Sequence, residues 1–332
     1  MRRLLKYIHL NPFLNDIRIE ICNLLNFHIK GNHKDIFLFT SARSGSTLLE
    51  KIIASQPGIE YIFEPLNWKR FNTRRTKIQP NYRYIYSDPD RIAAFKLYFD
   101  DIFNNKITIH FPMAFWRKTF SFRPERFVMK FINGKNHINW FEENYDIHVV
   151  YLIRNPIATT LSRINWGWKD FNMRFKYMLE DPFFNELIPQ NLIEFSRQKL
   201  FYGNEIEQFI TGWSLENYIP LKKLDKKNWL VVSYEELILD EDNVMLKLKN
   251  GLNLTNLDAM KKHLRKPSGS ESAYREKKQI MSQTDYDAKK KLVSDWKSKI
   301  SNEDLIKSYS ILDKFDLNIY SNNDYKPKLK NL

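Results

Sequence analysis

Thr40-Ser41-Ala42-Arg43-Ser44-Gly45-Ser46-Thr47 is the stretch that decides the fold. It sits between an apolar, strand-like segment (Ile36 to Phe39) and a helix-like one (Leu48 to Ser55). A small-residue loop that leaves a buried strand and opens a helix makes a socket for a phosphate-like anion. The first helical N–H groups lack internal partners, and the helix dipole adds positive potential at the same place. Gly45 lets the backbone come close, Ser46 and Thr47 add hydroxyl donors, and Arg43 adds a fork of charged donors. The triphosphate pattern G-x-x-x-x-G-K-[ST] is absent: no Lys precedes the hydroxyl pair and no Gly opens the run. The socket is an anion cradle of another kind.

A second element stands about a hundred residues on. His148-Val149-Val150-Tyr151-Leu152-Ile153 reads as a buried strand running into Arg154-Asn155-Pro156, and a helical segment then carries Ser162 eight residues after Arg154. With both elements in view, the chain resembles the sulfotransferases that use 3′-phosphoadenosine 5′-phosphosulfate (PAPS). In that family an Arg/Lys-Ser/Thr-Gly-Ser/Thr-Thr loop after the first strand holds the 5′-phosphosulfate, and an Arg followed eight residues later by Ser holds the 3′-phosphate. Arg43, Ser44, Gly45, Ser46 and Thr47 match the first pattern, and Arg154 with Ser162 matches the second. A ribose 3′-phosphate carries up to two charges, which a bidentate Arg and a hydroxyl donor satisfy.

The composition sets bounds. At 332 residues the chain can bury a full α/β core, and one large domain is expected. An aromatic content of 15% with only 9 Gly excludes a disordered or low-complexity chain. The single Cys22 excludes an internal disulfide framework and fits a reducing compartment. No stretch approaches the roughly 20 apolar residues needed to span a bilayer. The opening Met1-Arg2-Arg3-Leu4-Leu5-Lys6-Tyr7 is basic, but His9, Asn11 and Pro12 break the apolar run that an export signal needs, so a cytoplasmic enzyme is expected. The net charge of +14 calls for an anionic partner. PAPS is one. Runs such as Lys261-Lys262 and Lys289-Lys290-Lys291 read as solvated basic faces, with an anionic membrane surface as the alternative. No zinc-finger spacing, RNP-like aromatic motif or basic zipper points to nucleic acid.

Along the chain, residues 1–34 read as an amphipathic helical extension (Ile17, Ile21, Leu24, Leu25), packed on the domain or lying on a membrane, with packing favoured. Residues 35–320 read as the sulfotransferase domain and 321–332 as a tail. Strands are expected at Ile36 to Thr40, Glu60 to Phe63, Arg126 to Ile132, His148 to Ile153 and Trp229 to Tyr234. Strands alternating with helices imply a P-loop-like parallel sheet of about five strands in a single domain. Residues 66–125, rich in aromatic and basic side chains, read as an insertion over the active face. Ligands of such sheets bind beyond the carboxyl ends of the strands, where the loop, Glu64, Lys130 and Arg154 all fall. Residues 285–320, with Trp296 and a capping signal at Ser301 and Asp304, read as two terminal helices.

The resemblance assigns further residues. Tyr234-Glu235-Glu236-Leu237 is similar to the family's Tyr-Glu-Asp-Leu segment, whose Tyr can lie near the adenine. Arg265-Lys266 is similar to its late Arg-Lys-Gly loop over the 3′-phosphate, although Pro267 stands where the cytosolic branch has Gly. Sulfuryl transfer needs cations at the leaving oxygen and a base at the acceptor hydroxyl. Arg43 and the loop amides serve the leaving group. Lys130 stands 24 residues before Arg154, where the cytosolic branch places a catalytic Lys, but Ile132 replaces that branch's His base. Several carbohydrate sulfotransferases carry a Glu after the second strand, often as Glu-Pro. Glu64-Pro65 matches, which makes Glu64 the expected base and a glycan, a glycolipid or a small metabolite the expected acceptor.

Duller readings exist for each residue. Arg43 and Ser44 cap a helix, Arg154 is a structural ion-pair Arg, and Lys130 snorkels from a sheet edge. Glu64 caps the turn before Pro65, Ser162 bonds back to its own helix, and Trp166 and Trp168 are core rather than a sugar platform. No His, acidic or Cys spacing suggests a metal site. The alternatives to a sulfotransferase are a small-molecule kinase, which would not require the Arg154/Ser162 pair, and a non-enzymatic basic module for acidic polymers or membranes.

Overall fold

Strand β1 (Asp35–Thr40) is buried at every position and lies at the centre of a five-stranded sheet. With β2 (Ile59–Phe63), β3 (Arg126–Phe131), β4 (Ile147–Ile153) and β5 (Leu230–Ser233) it forms the order β2-β3-β1-β4-β5, every pair parallel. The expected parallel α/β sheet is therefore present. The chain leaves β1 for the β2 side, returns through β3, and then builds β4 and β5 on the other side. Its topological switch falls at β1, where such sheets place their ligands. The computed structural model describes residues 31–67, 85–107, 124–168, 172–265 and 285–329, with isolated helical positions between 13 and 24.

The period of two along each strand sorts the core into two faces. Ile36 and Leu38 of β1 join Val128, Val150, Leu152 and Val232 under α1 (Ser46–Ile53), which contributes Leu48, Leu49, Ile52 and Ile53. Phe37 and Phe39 point the other way into an aromatic cluster, where Phe39 stacks on Phe131 at 4.8 Å and Phe37 meets Phe141 edge-on at 5.2 Å. Such pairs contribute about 0.5–1.5 kcal/mol each beyond the area they bury.

Two expectations are corrected. Within residues 66–125, α2 (Pro89–Phe103) is no insertion over the active face. It is the crossover helix that parallel strands β2 and β3 require, burying Phe95, Tyr98, Phe99 and Ile102 against the aromatic face. Asp88 caps it by accepting from the Asp90 amide, and Tyr98 ties it to the β2 exit by donating to the Pro65 carbonyl at 2.8 Å. Residues 68–84 and 108–123 lie outside the described residues. Second, β5 is shorter than 229–234. Ser233 accepts from the Glu236 amide while Glu236 accepts from the Ser233 amide, and this capping box starts α6 (Tyr234–Leu239) where the strand would have continued. At the N-terminus Phe13, Ile17, Ile21 and Leu24 are 58%, 43%, 50% and 76% exposed.

Four more helices bear on the site: α3 (Ile138–Asn144), α4 (Pro156–Asn165), α5 (Glu205–Lys222) and, after α6, α7 (Leu257–Leu264). The terminal helices are α8 (Tyr286–Ser294) and α9 (Asn302–Lys314), with Ser301 capping α9 as read from the sequence. Among the described residues no helix is long and apolar enough to cross a membrane.

Candidate active site

Each strand delivers one element of the site at its carboxyl end. Across the sheet edge, in the order β2-β3-β1-β4-β5, these are Glu64, Lys130, the loop 41–47, Arg154 and Tyr234. With strands spaced ~4.8 Å apart, four intervals span about 19 Å, the scale of an extended nucleotide.

The loop is built for an anion. Gly45, at φ 85°, stands at the N-cap position of α1, and no side chain caps the helix, so its first amides are left for a ligand. A Cβ at Gly45 would lie 2.5 Å from the Tyr234 ring, so this position requires glycine for space as well as for conformation. Ser44 is fully buried, and its Oγ has no hydrogen-bond partner among the described residues. Arg43 is held at φ 70°, a conformation that only a constrained site imposes on such a residue. Its Nε donates to Ser162 Oγ at 3.1 Å, and its guanidinium covers the Trp166 ring at 4.6 Å.

Beside it, Arg154 leaves β4 and donates from Nη1 to the Arg43 carbonyl at 2.7 Å. Its guanidinium lies 4.4 Å from the centre of the Tyr234 ring, and its Nε is buried without a hydrogen-bond partner among the described residues. Behind Arg154 stands Glu235, which accepts from the Asn155 amide and from the Tyr320 hydroxyl, both at 3.0 Å. Burial pushes the Glu235 carboxyl up, with the Asn155 amide and the Arg154 charge acting against it. Arg43, Arg154, Ser162 and Tyr234 therefore form one cluster, and Ser162 bonds Arg43 rather than its own helix. The orphaned Ser44 hydroxyl and Arg154 Nε, together with the uncapped amides of α1, fit a bisphosphorylated nucleotide.

On the other flank, Lys130 is no edge residue. It lies on β3 between Phe63 and Leu38 and is 1% exposed, with its Nζ donating to Thr47 Oγ1 at 3.2 Å and lying 3.5 Å from Glu50 Oε2. Glu64 follows β2 at φ 52°, donates its amide to the Lys130 carbonyl at 3.0 Å, and accepts from Asn67 Nδ2 at 2.9 Å. Its carboxylate thus takes part in the turn 64–67 and also stands close enough to Glu50 to raise that group electrostatically. Arg265 caps the C-terminal end of α7 and is exposed, while Lys266 and the residues after it lie outside the described residues. Trp166 is 56% exposed, so it is not core; Trp168 is half-buried beside Arg174 at 4.3 Å and Arg163 at 5.5 Å. Among the described residues no group of His, Cys, Asp and Glu is arranged to hold a metal ion.

Sequence reasoning missed the support beneath the loop. Glu216 of α5 accepts from Ser41 Oγ at 2.7 Å and from Arg163 Nη2 at 2.9 Å, and lies 3.4 Å from Lys135 Nζ. Lys135 also donates to Ser41 Oγ at 2.6 Å, and Arg163, fully buried, donates to the Ala42 carbonyl at 3.3 Å. Asn217 completes the network, accepting from the Tyr151 hydroxyl at 2.7 Å. Burial would raise Glu216, but Arg163 and then Lys135 bring it down to about 2; burial, partly offset by Glu216, brings Lys135 down to about 8. The one available signal was Glu216 itself, a carboxylate among Trp213, Leu215, Tyr218 and Ile219.

Comparison with known proteins gives the family. The family model described as a sulfotransferase domain matches residues 33–314, so the chain belongs to the sulfotransferase family. It is a sulfotransferase. No curated protein matches the sequence. Among solved structures, the sulfotransferase domain of a Synechococcus olefin synthase is 16% identical, with 89% of this chain and 98% of that one covered at a TM-score of 0.42. The sulfotransferase domain of the curacin biosynthetic pathway is 15% identical, with 87% and 98% covered at a TM-score of 0.43. A mouse sulfotransferase complexed with PAP is 16% identical, with 90% of each chain covered at a TM-score of 0.39. The family match alone carries the assignment.

Proposed function

We propose that the enzyme moves a sulfuryl group from PAPS to a hydroxyl of a glycan or glycolipid, with the nucleotide lying along the carboxyl edge of the sheet. The observation that supports this reading is the order of side chains along that edge, Tyr234, Arg154, the loop, Lys130 and Glu64. Tyr234 would flank the adenine. Arg154 and Ser162 would take the 3′-phosphate, with Arg265 and Lys266 expected to close over it from the chain beyond α7. Ser44, Gly45, Ser46 and Thr47 would hold the 5′ end through hydroxyls and α1 amides.

At the far end Glu64 is the base. It takes the proton of the acceptor hydroxyl as the acceptor oxygen forms its bond to sulfur. The bond between sulfur and the bridging oxygen breaks in line, and its electron pair leaves with 3′-phosphoadenosine 5′-phosphate (PAP). Lys130, Arg43 and the α1 amides meet the charge that develops there. Arg43 must first exchange its hydrogen bond to Ser162 for the ligand.

The acceptor class is drawn from Glu64-Pro65 and from Trp166, whose exposed ring stands beside Arg43 at the mouth. The exposed stripe Phe13, Ile17, Ile21 and Leu24, following the basic Arg2, Arg3 and Lys6, supports an acceptor presented at an anionic membrane surface. The test is transfer from radiolabelled PAPS to a panel of free oligosaccharides and of glycolipids in phosphatidylserine vesicles. Glu64→Gln should lower turnover on the preferred acceptor by about 10²–10⁴-fold while PAP affinity stays within a fewfold. Full turnover in Glu64→Gln removes it as the base.

A further inference from the structure

Glu50 has no part in the chemistry above, yet it is among the most completely buried carboxylates described, at 1% exposed. It lies on α1 one turn after Thr47, so both side chains project from the same helix face toward the sheet. Between them lies Lys130 Nζ, 3.2 Å from Thr47 Oγ1 and 3.5 Å from Glu50 Oε2. The hydroxyl faces the anion loop, and the carboxylate sits behind the ammonium. Glu50 Oε1 has no hydrogen-bond partner among the described residues. A buried acid half-satisfied in this way costs stability, and a stripe of Leu48, Leu49, Ile52 and Ile53 would be better packed by an apolar residue.

We infer that Glu50 is a positioning residue, the counter-charge that keeps Lys130 ionised and aimed at Thr47 while the loop holds no anion. This rests on the reading of Lys130 as a ligand of the leaving phosphate. A lone ammonium at this depth is pushed towards its neutral form, in which it could neither hold a phosphate nor meet the charge on a leaving group. Burial holds the Glu50 carboxyl up, at about 7 even with Lys130 beside it, so its counter-charge is complete only above that pH.

The test is a double-mutant cycle read by calorimetric titration with PAP at pH 8, using wild type, Glu50→Gln, Lys130→Met and the double variant, with thermal melts of each. Glu50→Gln should weaken PAP binding about fivefold or more, the scale of coupling between residues in contact. The same change in the Lys130→Met background should do nothing, because the charge it supports has gone. Glu50→Asp should restore part of the affinity, and it replaces Glu50→Gln in the comparison if that variant does not fold. Unchanged affinity in Glu50→Gln, or losses that simply add in the double variant, overturns the inference and leaves Lys130 in place. Wild-type affinity in Lys130→Met instead overturns the role of Lys130, and that of Glu50 with it.

Discussion

Arg43 and Glu64 share a backbone feature that neither composition nor motif discloses: both lie at positive φ, 70° and 52°. The other non-glycine residues with positive φ among those described are Asn105, Asn253 and Asp316, types that tolerate the left-handed region. An Arg and a Glu do not, at a cost of about 1–2 kcal/mol each, and both stand where a strand gives way to the site. The motif identified Arg43, Gly45 and Arg154 because their spacing is local. It could not identify the contact of Gly45 with Tyr234, which joins residues 189 positions apart in the chain. Gly45→Ala should therefore do two things. It forces a side chain into the left-handed region and into the Tyr234 ring at 2.5 Å, so thermal unfolding should come several degrees earlier and PAP affinity should fall at least about tenfold. A variant with wild-type melting and affinity would show that the loop and ring are not in contact.

At the scale of elements, the loop is held from behind by α4 and α5. Arg163 and Lys135 converge on Glu216, and through Ser41 and the Ala42 carbonyl they fix the chain as it leaves β1. Removing the carboxylate leaves two buried cations facing each other. Glu216→Gln should destabilise the protein by about 3–5 kcal/mol, measured by chemical denaturation at pH 7. Its pH dependence has a definite sign. The folded Glu216 titrates near 2, below its ordinary 4.5, so its contribution is complete above pH 4.5 and is lost as pH falls through about 2. The stability gap between wild type and Glu216→Gln should stay constant from pH 7 to 5 and narrow below that; a gap unchanged at pH 3 would contradict it. The strands and α1 were legible in the sequence because their apolar periods are short-range. This network was not, because Lys135, Arg163 and Glu216 belong to three separate segments that only the fold brings together. The crossover helix α2 was hidden for a related reason: its apolar positions sit within a stretch whose basic and aromatic composition suggested an exposed insertion.

Across the whole molecule, carboxylates stand behind the proposed site: buried Glu50 at Lys130, buried Glu235 at Arg154, and partly buried Glu216 behind the loop itself. A net charge of +14 alone would suit any acidic partner. The proposed arrangement at the sheet edge is more selective: the loop would take the 5′ end and Arg154 with Ser162 the 3′-phosphate, with the Tyr234 ring against both Arg154 and Gly45. Two such sites would favour a 3′,5′-bisphosphate over a 5′-triphosphate. The most direct test is a calorimetric titration of wild type and Arg154→Ala with PAP, using AMP and ATP as controls. PAP should bind wild type at least about a hundredfold more tightly than AMP or ATP, and most of that margin should vanish in Arg154→Ala, since a buried, charge-assisted phosphate contact is worth about 2–3 kcal/mol. Equal affinity for PAP and ATP, or PAP binding indifferent to Arg154→Ala, would contradict the placement of the 3′-phosphate on which the account rests.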